Sequence, residues 1–322
     1  MSRTRSLPLL AASLLVALAI AADAQEYPTK PVRLIIPFPP GGSNDVVGRV
    51  IATHLGEHLG KQVIVDNRSG AGGVIGTEVA ANAAPDGYTL LVISLAHAVN
   101  PWLYKLSYDP IKSFTPIGIL ATGPNVLAIN PGLPVNSVQE LIALAKQKPG
   151  ELQYASAGVG SFQHLGAELF KLEAGVDMLH IPFKGGGPAM MDVIGGYIKL
   201  VFSSLVQTTP FIKSGKLKAL ATGGAKRSPV LPDLPTIAEA GVPGYEAVNW
   251  WGIMAPAGTP PAIIDKVHRE LTAVQSSPEV QKQFSTEGAE IVEMSPGEFG
   301  TFIEKEMKKW ERVVREGHIK PE

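Results

Sequence analysis

Val32-Arg33-Leu34-Ile35-Ile36-Pro37-Phe38-Pro39-Pro40-Gly41-Gly42-Ser43-Asn44-Asp45 is a strand, a turn and the start of a helix in fourteen residues. The apolar run from Val32 is stopped by Pro37, as a buried strand would be. Pro39 to Asn44 has turn composition. From Asp45 to position 60 the apolar residues Val46, Val47, Val50, Ile51 and Leu55 recur on one side of a helix. Working outward, positions 62–65 read as a second short strand, 66–73 as a polar Gly-rich loop, 74–83 as a helix and 88–93 as a third strand. Strand, loop, helix, strand in this rhythm means a parallel α/β arrangement.

The rhythm then repeats. Strands are expected at 126–129, 153–156, 178–182, 200–203 and 217–221, and helices at 138–146, from 161 to about 173, at 188–195 and at 207–214. Pro188 suits the first turn of its helix, where a missing N–H costs nothing. Amphipathic helices at 261–275 and 296–315 follow. The 322 residues suffice for about two domains, so two α/β lobes are expected. Periodicity does not choose between one cut near 125 and a discontinuous first lobe closed by the C-terminal helices.

Composition narrows the function. With Lys plus Arg 28 against Asp plus Glu 29, the net charge is -1 and no basic block stands out, which argues against nucleic acid as a partner. Cys is 0, which removes thiol nucleophiles, disulfides, Fe–S clusters and Cys-type zinc sites. Arg3 and Arg5, then an apolar run over 7–22 containing Pro8, then Ala22-Asp23-Ala24, have the three-part pattern of a signal peptide over 1–24. The run is shorter than the roughly 20 residues a membrane span needs. Export to the periplasm with cleavage after Ala24 is the expectation.

Four glycine-rich loops each lie between a strand and a helix N-terminus: 39–44, 69–73, 157–161 and 184–187. Ligands of open parallel sheets bind where such loops gather. Helix N-termini offer unpaired N–H groups and partial positive charge, so the loops together suggest an anion cleft. The G-x-G-x-x-G spacing and the P-loop pattern are both missing, which argues against nucleotides. Ser161, His164 and Asp192 make a hydrolase site on paper, but Ser161 lacks the G-x-S-x-G elbow, and a helix cap or ligand contact is the more economical role. Asp45, four residues before Arg49, is either a surface ion pair or a group that orders the loop or contacts a ligand through water. His54 and His58 share an i,i+4 spacing that could hold zinc, but read as a solvated face. Trp250-Trp251 reads as core packing and a rigid turn where the chain crosses between lobes. No catalytic residue, metal or cofactor is expected.

These motifs in order resemble the extracytoplasmic solute receptors of tripartite tricarboxylate transporters, the Bug family. The likeness runs through Pro37 to Asp45, Asp66-Asn67-Arg68-Ser69-Gly70-Ala71-Gly72-Gly73, Ala155 to Ser161 with His164-Leu165, Pro182-Phe183-Lys184-Gly185 with Pro188-Ala189, positions 215–221 and 231–236, and Trp251-Gly252 with 255–260. It spans essentially the whole chain after the signal segment. The resemblance implies an α/β, two-lobed type II periplasmic binding protein fold, each lobe a mainly parallel sheet flanked by helices. Lobe 1 would comprise 25–125 plus 249–322, and lobe 2 would comprise 126–248. It implies capture of a small carboxylate (a di- or tricarboxylate, an amino-acid-like or an aromatic acid) by a monomer that delivers it to an integral membrane permease. A sensory receptor for a membrane partner, or an exported hydrolase, are the competing functions. Carried onto this chain, the contacts would be Phe38, Gly42, Ser43, Asn44, Asp45, Ala71 and Ser94 from lobe 1. Lobe 2 would supply Ser156, Ala157, Gly158, Ser161, His164, Lys184, Gly185, Gly186, Ser203 and Ser204. The family commonly has Tyr where Phe183 stands, an acidic residue near Lys199, and one Trp before Tyr or Phe where Trp250-Trp251 stands.

Overall fold

Residues 27–320 are described by a computed structural model; the signal segment expected over 1–24 lies outside them. The N-terminal rhythm is realised as β1 (Val32–Ile36), α1 (Ser43–Leu59), β2 (Val63–Asn67), a 3-10 turn over Ala71–Gly73, α2 (Val74–Ala81), β3 (Thr89–Ser94) and α3 (Leu95–Leu103). The strand β4 (Phe114–Ile129) leads into α4 (Val138–Gln147), β5 (Gln153–Ser156), α5 (Phe162–Ala174), β6 (Leu179–Pro182), α6 (Gly186–Gly195), β7 (Leu200–Ser204), α7 (Leu205–Lys213) and β8 (Lys218–Thr222). The chain ends with β9 (Val248–Pro256), α8 (Pro261–Gln275), α9 (Pro278–Glu287), β10 (Glu290–Ile291) and α10 (Pro296–Glu316). Among the described residues no helix is long and apolar enough to cross a membrane.

One strand joins two lobes. The first part of β4 pairs with β9 and β10, and the remainder, from Asn125 to Ile129, pairs with β7 and β8. The first lobe has the order β2-β1-β3-β9-β4, and the second continues β4-β7-β5-β6. In the first lobe β1 to β4 run one way and β9 and β10 the other. In the second, β5 to β8 run together against β4. Each lobe is therefore mainly parallel, with helices on both faces, and its antiparallel strands are those at the join.

The sequence expectation finds only 126–129 of β4. Pro116, Gly118, Gly123 and Pro124 interrupt the earlier part, and prolines normally argue against an interior strand. Register shifts at Pro116/Gly118 and at Ile119/Ala121 accommodate the irregularity. Trp250 and Trp251 are likewise not in a turn. They sit in β9, opposite Thr122 and Ala121 of β4, and both are buried. The α6 helix starts two residues earlier than Pro188, at Gly186.

Helix α10 closes the core over this join. A capping box of Ser295 and Glu298 starts it, with Pro296 in its first turn. Its buried stripe is Phe299, Ile303, Glu306, Trp310, Val313 and Val314. The one carboxylate in that stripe is answered: Glu306 Oε2 accepts from Trp250 Nε1 at 3.0 Å and from Trp310 Nε1 at 3.1 Å. Trp250 also packs edge-on against Phe299 and Phe302. Trp250→Ala removes a large buried ring and one donor to a buried carboxylate. The expected loss is about 3–5 kcal/mol in urea denaturation; an unchanged midpoint would contradict this packing.

Candidate functional site

Five helices begin at one place. Their N-caps are Gly42 (α1), Ser94 (α3), Ser161 (α5), Gly185 (α6) and Ser204 (α7). Two come from the first lobe and three from the second. Each starts directly after a strand or a short Gly-rich loop, so parallel topology brings the N-termini to the same edge of the sheets. Between them lies a small cavity of about 30 Å³. Its walls are Gly42, Ser43, Asn44, Ser94, Ala96, Ser161, Phe162, Gln163, Gly186, Ser204 and Gln207 from these first turns, with Phe38, Ala157 and Asn249. Among the described residues no charged side chain lines it. Its polarity comes from backbone N–H groups, hydroxyls and amides, and the helix dipoles make it electropositive.

A wider cavity of about 470 Å³ adjoins it, sharing Phe38 and Ala157. Its walls are the 69–73 loop, Tyr104, Gly158, Val159, Phe183, Lys184 and Gly185, with Pro39. Lys184 is the charged residue of that wall. The lobes touch on both sides of the cleft. Tyr104 Oη donates to Val159 O at 3.4 Å. A β-carbon on Gly72 would lie 2.9 Å from Val159 O, and one on Gly187 would lie 2.9 Å from Pro40 O. At these two positions a side chain would hold the lobes apart.

Most expected residues line these two cavities. Phe38, Gly42, Ser43, Asn44, Ser94, Ala157, Ser161, Gly186 and Ser204 line the inner one; Ala71, Gly158, Lys184 and Gly185 line the outer, with Phe38 and Ala157 shared. Asp45, Ser156, His164 and Ser203 do not line either. They stand one layer behind and hold the wall. Asp45 accepts from Gly41 N at 3.0 Å, Arg49 Nε at 2.9 Å and Asn67 Nδ2 at 2.9 Å, while Asn67 also donates to Phe38 O at 2.9 Å. It is both an ion pair and a loop-ordering group. Burial pushes its carboxyl up, but Arg49, the Gly41 N–H and Asn67 outweigh that and hold it below the usual range.

Beneath the 157–161 loop, His164 and His180 stack at 3.9 Å between centroids. His164 Nδ1 accepts from Gly160 N at 3.2 Å, and Ser156 Oγ lies 2.6 Å from His180 Nε2 while accepting from Gly158 N at 3.1 Å. Ser161 Oγ accepts from the His164 backbone N–H at 3.3 Å, the bond of a helix cap. His164 thus has its Nδ1 engaged by the loop, and its bond with Ser161 is made through its backbone N–H. Lys199 donates to Gly196 O at 2.7 Å, at the C-terminal end of α6 and away from both cavities.

Sequence reasoning misses Gln163, Gln207 and Asn249 as polar walls of the inner cavity. Gln163 and Gln207 follow caps at Ser161 and Ser204, so helix first turns were the available signal. Asn249 is the second residue of β9, a strand that the sequence reading does not find. Its Oδ1 accepts from Leu95 N at 3.4 Å.

Burial keeps these histidines neutral. It holds His164 down at about 2, helped by His180 and Lys171, and His180 at about 4, helped by Lys171. His97, in α3, is held at about 4 by burial despite its bond to Pro110 O. Unfolded imidazoles take protons near pH 6.5. Below that pH the unfolded chain binds more protons, so stability is fully present above about 6.5 and falls as pH approaches 4. Each buried imidazole contributes a slope approaching about 1.4 kcal/mol per pH unit. Urea midpoints at pH 7.5, 6 and 5 should show the decline, and His164→Asn/His180→Asn should flatten it.

The sequence and fold have matching relatives. The model of the tripartite tricarboxylate transporter family receptor matches residues 47–319. Protein BugT of Bordetella pertussis is 40% identical over 302 residues, 93% of each chain. The structure of R. palustris Rpa4515 with adipate superposes with a TM-score of 0.89 at 39% identity, covering 92% of this chain and 100% of that one. MatC (Rpa3494) from Rhodopseudomonas palustris with bound malate gives a TM-score of 0.85 at 32% identity, covering 89% of this chain and 100% of the other.

Proposed function

Because this chain belongs to the tripartite tricarboxylate transporter receptor family, we propose that it captures a small carboxylate between its lobes and delivers it to a membrane permease. One observation carries the reading: five helix N-termini, from both lobes, meet at a cavity whose described walls hold no charge. An anion there would receive N–H groups from both sides at once. Ligand contact with both lobes favours the arrangement in which they touch, which is how binding biases an open–closed equilibrium. Adipate and malate in the related structures support a carboxylate as that anion.

We assign the inner contacts to Gly42, Ser43, Asn44, Ser94, Ala157, Ser161, Gly186 and Ser204, and the outer end of the ligand to Ala71, Gly158, Lys184 and Gly185, with Phe38 between. Asp45, Ser156, His164 and Ser203 act by holding the walls. The lobes are taken as 25–125 plus 249–322 and 126–248, hinged where β4 and β9 pair through Gly123↔Asn249 and Pro124↔Val248. The protein is read as a monomeric, non-catalytic periplasmic receptor released by cleavage after Ala24. The Ser161 cap argues against the hydrolase alternative. Loss of carboxylate uptake on deletion separates transport from sensing.

The direct test is thermal shift of ligand-stripped protein against mono-, di-, tri- and aromatic carboxylates. A ligand at a hundredfold excess over its Kd adds about 2.7 kcal/mol. A shift confined to carboxylates supports the reading; a panel without any shift contradicts it. Ser161→Leu should abolish that shift while the unliganded protein stays folded. Gly187→Ala should weaken affinity by about tenfold with little change in unliganded stability, because its backbone is helical and the added methyl meets the Pro40–Gly41 backbone across the cleft. Calorimetric titration measures both variants.

A further inference from the structure

The amide orientations around the inner cavity are set by a backbone carbonyl. Gln207 Nε2 donates to Gly186 O at 2.7 Å. A carbonyl only accepts, so Gln207 must present its NH₂ there and its Oε1 on the other side. That Oε1 accepts from Gln163 Nε2 at 3.2 Å and from Ser203 Oγ at 3.2 Å. Gln163 Nε2 also donates to Ser203 Oγ at 3.0 Å. Reversing the Gln163 amide would set its oxygen against Gln207 Oε1, and reversing both would set Gln207 Oε1 against Gly186 O. The remaining atom is Gln163 Oε1. It is buried and has no partner among the described residues, on a side chain that is 5% exposed and lines the cavity.

A fixed acceptor among first-turn N–H groups is the wrong group for a carboxylate oxygen, and leaving it unmatched carries a desolvation cost; Asn44 Oδ1 and Ser204 Oγ of the same wall are also without partners among the described residues, but no bond fixes the direction of either. It matches a ligand atom that donates one hydrogen bond while accepting others. A hydroxyl does both. An ammonium only donates, and would face five helix N-termini with no acidic residue among the described walls of either cavity. The inner cavity is small, at about 30 Å³, so a hydroxyl that shares it with the carboxylate must stand on the adjacent carbon. Resting on the carboxylate reading above, we infer that the receptor selects 2-hydroxy acids, with Gln163 Oε1 accepting from the 2-hydroxyl and Gln207 as the positioning residue that fixes the amide.

The test is calorimetric titration of matched acids: propionate against lactate, succinate against malate, and adipate against 2-hydroxyadipate, with alanine and aspartate as 2-amino counterparts. In wild type the 2-hydroxy member of at least one pair should bind about tenfold or more tighter than its deoxy partner. The 2-amino member should bind more weakly than the 2-hydroxy one. Gln163→Leu should bring the hydroxy-to-deoxy ratio close to one while the deoxy acid still binds. Gln207→Leu should lower the ratio by freeing the Gln163 amide to turn, an effect that general loosening of the wall would not confine to one member. Gln163→Asn, which withdraws the acceptor and stays polar, serves if the leucine variant misfolds. Equal wild-type binding within every pair overturns this inference and leaves the carboxylate reading standing. A preference that survives substitution at both glutamines, or tighter binding of the 2-amino acid, also overturns it. Binding by none of these acids overturns the carboxylate reading and this inference with it.

Discussion

Five helices direct their first-turn N–H groups at one point, and those groups have no intrahelical partners. That constraint organises the molecule. The parallel strands put the helix starts on one edge, the Gly-rich loops bring them close, and the two lobes bring two sets together. Repulsion among like dipole ends opposes the meeting, so the fold must hold it by other means. It does so from behind. Asp45 with Arg49 and Asn67 fastens the first loop, and the stacked His164 and His180 with Ser156 fasten the third. These side chains brace the wall from outside both cavities.

Keeping formal charge out of the inner wall has a physical advantage. A buried arginine facing an empty cleft would lose its hydration with nothing in return. Helix ends present fixed partial charges whose desolvation is already met by folding. The same glycines serve a second purpose that the loop composition alone does not reveal. At Gly72 and Gly187 the nearest obstacle to a β-carbon is the opposite lobe, not a ligand. The glycine loops are contact surfaces between lobes as much as cradles.

Much of this was legible in the residues. The strand–loop–helix units of both lobes follow from apolar runs and turn composition, and the four loops do gather at one cleft. What escaped was the join. Prolines and glycines in β4 mask a continuous strand, and its pairing with β9 depends on residues far apart in sequence. The consequence reached the site: with β9 unrecognised, Asn249 went unnoticed. Gln163 and Gln207 were hidden for another reason. A glutamine in a helix first turn is ordinary in sequence, and only the chain of bonds from Gly186 O gives its amide a direction. Sequence also does not say that His164 stands one layer behind the wall, because a histidine three residues after a serine can face a cleft or a core.

The order of strands also bears on how the molecule comes to exist. In the first lobe, β3 and β4 are neighbours in the chain but not in the sheet, because β9 lies between them. A polypeptide that emerges from its N-terminus has made the whole second lobe, from β5 to β8, before the strand that completes the first. Until β9 arrives, the facing edges of β3 and β4 are bare and apolar, and unpaired edges of that kind invite aggregation. The exposure lasts for the time needed to produce more than a hundred residues. A chaperone that shields the early segment, or a delay that keeps it unfolded, would thus matter more to this architecture than to a lobe built from one contiguous stretch.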